Sequence, residues 1–301
     1  MNEEQLFSFD TWGFLTVEDA LTPEQVADLK ATVDEKGPDL HSQHADRGGF
    51  WSQGFFDLLD PPAISGILDE IYGGLRAGGL PPFRIDHINV HTHGTFNKGL
   101  AGGTIHGGNG RLLDPSRPHE LVTHYYERNA DGGTFANGLV TVAFELEDTV
   151  CNGGGFGCLA GSHKGHYRVP EAWVDLSKGV HPMVTCVPAR AGTAIIFTEA
   201  LCHVTLPWTM PNPRTTLFYK YTDREEAYSG TDNFFSPTDA DPWQDIDERK
   251  RAILAPPPRS AGGITKNPGG LIPPSDRVAM RRPLLPLAVP VGCANPRLPR
   301  L

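Results

Sequence analysis

Two residue types in one short stretch carry the clearest chemical signal in this chain. His203 stands in AIIFTEALCHVTLPW, directly after the expected strand AGTAIIF, and Arg214 follows it by eleven residues (214 − 203) at the head of RTTLFYKYT. A neutral imidazole at a strand end is a ready metal ligand. An arginine on the next strand, facing the same interior, presents a planar fork that grips a carboxylate through two parallel hydrogen bonds. The pair therefore points to a metal ligand beside a carboxylate anchor. A core histidine with a surface arginine is the plain alternative.

The elements that must position them change character along the chain. Thr22-Pro23-Glu24-Gln25 reads as a capping box with proline at the first helical position, and Val26, Leu29 and Val33 then recur on one helical face, so a helix is expected from Pro23 to Glu35. Ile64, Ile67, Leu68, Ile71 and Leu75 hold the same period and predict a second helix over 62–75. Segments 83–91, 138–146, 183–188, 191–197 and 215–222 are short, rich in Val, Ile, Thr and Phe, and separated by Gly, Pro and Asn clusters, the pattern of an antiparallel β structure with helices outside it. A last helical stretch, WQDIDERKRAIL, precedes a tail so rich in proline and glycine that no regular structure is expected. The expected organisation is one domain over 1–240 with N-terminal helices, and a C-terminal helix and tail over 241–301 packed on it or trailing from it.

Composition narrows the partners. A chain of 301 residues with 39% hydrophobic content can bury a full core. Its net charge of −10 argues against a nucleic acid polymer, whose binding surface carries a basic excess. A small molecule is the better expectation. There is no run of eighteen apolar residues, and the opening MNEEQLFSFD is acidic where a signal peptide is basic and then apolar, so no membrane association and a cytoplasmic location are expected. The 5 cysteines are odd in number and form no CxxC pair, which suggests reduced thiols rather than disulfides or a zinc-thiolate site.

Three segments in this order resemble the phytanoyl-CoA dioxygenase family of iron- and 2-oxoglutarate-dependent enzymes: WGFLTVEDALTPEQVADL, NGGGFGCLAGSHKGHY and GTAIIFTEALCHVTLPWTMPNPRTTLFYKYT. The likeness spans roughly residues 7 to 225. It implies a mainly β fold with flanking helices, a double-stranded β-helix of the jelly-roll, cupin-like kind. It also implies Fe(II) held by a His-x-Asp/Glu motif and a later histidine, an arginine on the following strand binding the distal carboxylate of 2-oxoglutarate, and O2 as the other cosubstrate. His203 and Arg214 match the last two positions, and Thr216 matches the Ser or Thr that usually shares that carboxylate.

The first ligand motif departs from the pattern. In AGGTIHGGNG, His106 lies ninety-seven residues before His203 (203 − 106), but Gly108 stands where the acid is expected. The usual facial triad gives iron two imidazoles and one anion. With glycine there, a further coordination position opens and the metal keeps one more positive charge, which attracts an anion. In this the chain resembles iron and 2-oxoglutarate halogenases, which carry His-x-Gly or His-x-Ala and let chloride coordinate in place of the side chain. The expectation is chlorination of an unactivated sp3 carbon, with His106, Gly108 and His203 as the catalytic positions and Fe(II), 2-oxoglutarate, chloride and O2 as cofactors. Hydroxylation by the same machinery and a non-catalytic binding relative are the alternatives. His44-Ala45-Asp46 is a literal His-x-Asp, but it lies 159 residues before His203 (203 − 44), ahead of the β region. His91 and His93 share a strand face without a carboxylate at suitable spacing, and are expected to line the substrate pocket.

Substrate contacts are expected from FRIDHINV, whose alternation puts Arg84 and Asp86 on one strand face and His87 on the other. The GSHK turn adds Ser162, His163 and Lys164, with a tight turn as its plain reading. The acidic net charge disfavours an acidic carrier protein, so a free-standing molecule is preferred. Alanine, arginine and proline usage has the flavour of a high-GC bacterium, where antibiotic pathways are common, and this favours a nucleotide or nucleoside. Lys98, Arg111 and Lys164 are then the candidate phosphate partners, with His93 in the pocket wall.

Overall fold

Period-two alternation builds the centre of the molecule. In RTTLFYKYTD, Leu217, Tyr219 and Tyr221 point one way into an apolar cluster, while Arg214, Thr216, Phe218 and Lys220 point the other way. The computed structural model describes residues 1–36, 41–43, 52–75, 77–94, 104–107, 111–112, 121–122, 126–128, 135–165, 167, 169–226 and 246–257. Its strands are β1 (Phe14–Val17), β2 (His41–Gln43), β3 (Phe83–His93), β4 (Arg111–Leu112), β5 (Leu121–Val122), β6 (Tyr126–Arg128), β7 (Phe135–Asn137), β8 (Val140–Glu145), β9 (Gly155–Cys158), β10 (Thr185–Val187), β11 (Ala194–Thr198), β12 (His203–Leu206) and β13 (Arg214–Asp223). Six of them form an antiparallel sheet in the order β1-β11-β8-β13-β3-β2, and three form a second in the order β10-β9-β12.

The two sheets face each other across Ala143, Ile195 and Phe197 of the large sheet and Phe156, Cys158 and Val187 of the small one. This is the double-stranded β-helix. The other face of the large sheet is covered by helices α1 (Glu3–Trp12), α2 (Pro23–Lys36), α3 (Gln53–Asp57) and α4 (Pro62–Ile71), whose Leu29, Phe56, Ile64 and Leu68 meet Phe144, Leu217 and Tyr219. Each such fully buried side chain contributes about 1.5–3 kcal/mol relative to exposure. The outer face of the small sheet is closed by Val204 and Leu206 against Leu176 and Trp173, the latter on α5 (Glu171–Val174).

Local chemistry sets the helix ends. Thr22 and Gln25 cap α2 reciprocally, as the sequence indicates. Helix α4 stops at Ile71, short of Leu75, because Gly73 and Gly74 turn left-handed at φ 83° and 84°. Helix α6 (Glu248–Leu254) is capped by Asp247 and begins later than expected from WQDIDERKRAIL, whose residues 243–245 lie outside the described residues. Its Ile253 and Leu254 join the main cluster, and Arg249 bonds Asp60, Ser65 and Asp69. Buried tyrosine hydroxyls tie the sheet to its helices: Tyr219 donates to the Phe55 carbonyl, Tyr221 to that of Leu59, and Tyr72 to that of Tyr221.

Five of these elements depart from the sequence expectation. Helix α1 and strand β1 precede the first expected helix. NGGGFGC, absent from the expected strands, contains β9, whose glycines let Leu206 of β12 press against Gly157. His203 does not close the strand before it but opens its own, β12, in the small sheet. A bulge between Lys220 and Tyr221 makes Asp86 the extra residue of β3, so Arg84 opposite Thr222 and His87 opposite Lys220 share a face, which corrects the alternation expected for FRIDHINV. Among the described residues no helix is long and apolar enough to cross a membrane.

Candidate active site

His106 and His203 meet at the edge of the small sheet. Their backbones form an isolated antiparallel bridge, with His106 N–H donating to the His203 carbonyl at 3.0 Å and His203 N–H returning to that of His106 at 2.7 Å. Their rings lie 4.3 Å apart between centroids. This approach needs the glycine that follows: Gly107 adopts φ +94°, and a Cβ there would come within 2.2 Å of the Leu201 carbonyl oxygen. Gly107 therefore has a backbone reason to be glycine, whereas Gly108 lies outside the described residues.

Each ring is held by the same device. Nδ1 of His106 bonds the carbonyl of Thr104 at 3.0 Å, and Nδ1 of His203 bonds that of Leu201 at 2.7 Å. A carbonyl can only accept, so the proton sits on Nδ1 and the lone pair on Nε2 in both rings, the tautomer that orients a metal-binding histidine. His203 packs against Phe197 and Phe156. Burial in that apolar setting pushes its pKa down to about 4, against the opposing pull of the Glu199 carboxylate. It is neutral at physiological pH.

Glu199, just beyond β11, brings a carboxylate to the same place. Its Oε1 accepts from Lys220 Nζ at 2.8 Å and from Thr141 Oγ1 at 2.5 Å, while Oε2 lies 3.7 Å from His203 Nε2. Burial favours its neutral form, but the Lys220 ammonium, the His203 ring and hydrogen bonds from Lys220 and Thr141 outweigh it and hold the pKa at about 2. Glu199 is an anion. Among the described residues no three His, Cys, Asp or Glu side chains are placed, as they stand, to hold a metal ion together.

Further along β13 stands the second charged cluster. Arg214 Nε donates to Glu145 Oε2 at 2.9 Å and Nη2 to Oε1 at 2.5 Å, and Thr216 Oγ1 donates to Oε2 at 3.0 Å. The two residues expected to bind the distal carboxylate of 2-oxoglutarate thus hold the chain's own Glu145, the last residue of β8. The pair is almost fully buried, at 1% and 0% exposure. Arg214 Nη1 is a buried donor with no hydrogen-bond partner among the described residues. The side edge of the guanidinium is committed, whereas its Nη1 end keeps unused donor capacity.

The other expected site residues separate. His93 is buried directly opposite Arg214, with His91 opposite Thr216, so both belong to the inner face. His87 lies opposite Lys220 and bonds Asp86 at 2.7 Å. Arg84 is wholly buried and donates through Nε to the Ala255 carbonyl beyond α6, which ties the C-terminal helix to β3. Lys164 pairs with Asp10 of α1 at 2.7 Å and is held outside the inner face. Lys98 and the side chain of Arg111 lie outside the described residues, as does the His44-Ala45-Asp46 motif.

Glu199, Lys220, Thr141 and Glu145 were not singled out by sequence reasoning. The signal was present in the alternation: charged or hydroxyl residues occupy inward positions of strands otherwise built for burial, at Thr141 and Glu145 of VTVAFE and at Arg214, Thr216 and Lys220 of RTTLFYKYT.

Solved structures share this architecture. HygX from Streptomyces hygroscopicus with nickel and 2-oxoglutarate bound superposes with a TM-score of 0.60 at 22% identity, over 75% of this chain and 88% of that one. HygX with iron bound gives 0.61 at 19% identity, over 75% and 89%. The epimerase SnoN in complex with Fe3+, alpha ketoglutarate and nogalamycin RO gives 0.51 at 16% identity, over 74% and 84%. At these identities the likeness establishes the fold. No protein-family model and no curated protein sequence matches the chain.

Proposed function

We propose that the chain is an Fe(II)- and 2-oxoglutarate-dependent oxidoreductase acting on an sp3 carbon of a free small molecule. One observation carries the reading: two imidazoles on bridged strands, each locked by a carbonyl into the tautomer that leaves Nε2 as a lone pair. A buried ring with that lone pair and a depressed pKa fits a divalent metal. HygX and SnoN, which share the fold, carry a metal and 2-oxoglutarate or alpha ketoglutarate in their solved forms.

The metal, when bound, supplies O2 activation and C–H oxidation. The chain's own residues do the rest. His106 and His203 would hold the ion, and Phe156 and Phe197 pack against the second imidazole. Arg214 offers Nη1 to the cosubstrate's distal carboxylate while Glu145 and Thr216 fix the guanidinium. Because Glu145 neutralises Arg214, this anchor contributes direction more than net charge.

Halogenation is the second reading, and Gly108 is the observation that favours it. The finer substrate proposal, a nucleotide or nucleoside, keeps Lys98 and Arg111 as phosphate partners; Lys164 leaves that set because of its pairing with Asp10. The small molecules bound to HygX and SnoN, hygromycin B and nogalamycin RO, support a role in antibiotic biosynthesis. A cytoplasmic site of action fits the four described cysteines, all free thiols.

The test is anaerobic addition of Fe(II) and 2-oxoglutarate, followed by O2. The wild type should develop the weak visible absorption of an Fe(II)–2-oxoglutarate chelate and release succinate, and His203→Ala should do neither. Absence of both signals from the wild type rejects the function. Product masses in chloride and then bromide decide between halogenated and oxygenated carbon.

A further inference from the structure

We propose that Glu199 supplies the carboxylate of the metal site, its Oε2 joining the Nε2 atoms of His106 and His203. The proposal rests on the reading of the two histidines as metal ligands and names the third. In the ligand motif around His106 no acid is present, yet the fold delivers one from the opposite sheet. Glu199 follows β11 in the large sheet, whereas His203 opens β12 of the small one and His106 bridges to it.

The geometry distinguishes the two oxygens of this carboxylate. Oε1 is fully engaged, by Lys220 at 2.8 Å and Thr141 at 2.5 Å. Oε2 has no hydrogen bond among the described residues and faces the lone-pair nitrogen of His203 at 3.7 Å. That separation is too long for a hydrogen bond, so Oε2 and Nε2 do not satisfy each other. An octahedral divalent ion with bonds near 2.1 Å sets adjacent ligand atoms roughly 3 Å apart. The gap beside His203 therefore has room for an ion once the carboxylate turns inward. Lys220 and Thr141 then act as the outer partners that orient a ligating acid.

Charge points the same way. Among the described residues, Arg214 is matched by Glu145 and Lys220 by Glu199, so these two inward pairs each cancel in charge. A divalent metal and doubly charged 2-oxoglutarate cancel each other, so the loaded site stays neutral with Glu199 as the anion. Adding a halide leaves one uncompensated negative charge in a buried site, which is unfavourable. Two histidines and one carboxylate are the ligand set that suits Fe(II) with positions left open.

Manganese(II) binding followed by electron paramagnetic resonance tests this on the full chain without turnover. Wild type should bind one Mn(II) with an affinity indifferent to chloride. Glu199→Gln keeps the shape and the Thr141 contact but lacks the anion, and should bind on the order of 100-fold more weakly, with chloride restoring part of the loss. Because that change leaves the Lys220 ammonium without its anion, Glu199→Gln/Lys220→Met is the second variant, expected to bind as weakly while keeping the wild-type circular dichroism. Loss of Mn(II) in His203→Ala with unchanged affinity in both Glu199 variants overturns the proposal and leaves the function standing. Wild-type affinity that rises with chloride overturns it in favour of a halide ligand. No Mn(II) binding by the wild type overturns both.

Discussion

Two buried acid–base pairs stand on the same inner face of β13, six residues apart, and they are built oppositely. At Arg214 the acid is exhausted: both oxygens of Glu145 are taken, by Arg214 and Thr216, and the unsatisfied atom belongs to the cation, Nη1. At Lys220 the acid keeps an oxygen in reserve: Oε1 of Glu199 is taken and Oε2 faces His203. One end of the interior is left with a donor and the other with an anionic acceptor. A donor suits the carboxylate of a cosubstrate and an anion suits a metal, so the asymmetry gives the two ends of this face different chemistry.

That contrast can be broken by stability measurements. Glu145→Ala leaves a guanidinium of 1% exposure without its partner and should cost about 3–5 kcal/mol in urea unfolding. Glu199→Ala, at 14% exposure and beside a partly accessible lysine, should cost about 1–2 kcal/mol. Equal losses would erase the distinction between the two ends. A buried histidine on another element serves as a reference. His163 accepts no exposure and donates Nε2–H to the Asp10 carbonyl, and burial pushes its pKa down to about 4 from 6.5. The unfolded chain takes up that proton first, so this contribution is complete above pH 6.5 and is lost as pH falls towards 4, at most about 3 kcal/mol. His163→Gln should flatten the urea midpoint between pH 7 and pH 4.5; an unchanged slope assigns the loss to other groups.

Smaller changes sharpen the metal end. Gly107→Ala forces a Cβ against the Leu201 carbonyl at φ +94°, and should cost about 2–3 kcal/mol and part the His106–His203 bridge, read as lowered melting temperature together with weakened Mn(II) binding. Wild-type affinity in that variant would show that the bridge does not set the histidines. Thr141→Val removes one bond to Oε1 and should cost about 1 kcal/mol, with a weakening of Mn(II) affinity severalfold and no effect on Arg214.

Much of this could be read in the sequence, for definable reasons. Helix α2 was legible because a capping box and a 3.6 period agree, and β3, β8, β11 and β13 because alternation and β-branched content agree. Strand β9 escaped because two of its four residues, Gly155 and Gly157, carry no side chain to show a period. Helix α1 escaped because its buried residues, Ser8 and Phe9, make no apolar stripe. At the site, His203, His106 and Arg214 stood out through their spacing. Glu145 and Lys220 did not, since their partners lie 69 and 21 residues away and meet them only through strand pairing. The bulge at Lys220/Tyr221 likewise put Arg84 and His87 on one face instead of opposite faces, an effect that no period can reveal.

The most direct test is an anomalous difference map from crystals grown without oxygen in Mn(II), 2-oxoglutarate and bromide. A single manganese peak within about 2.3 Å of His106 Nε2, His203 Nε2 and Glu199 Oε2, with no bromide beside it, is the predicted result. Bromide on the metal with Glu199 turned to Lys220 alone, or no manganese between the two imidazoles, would contradict it.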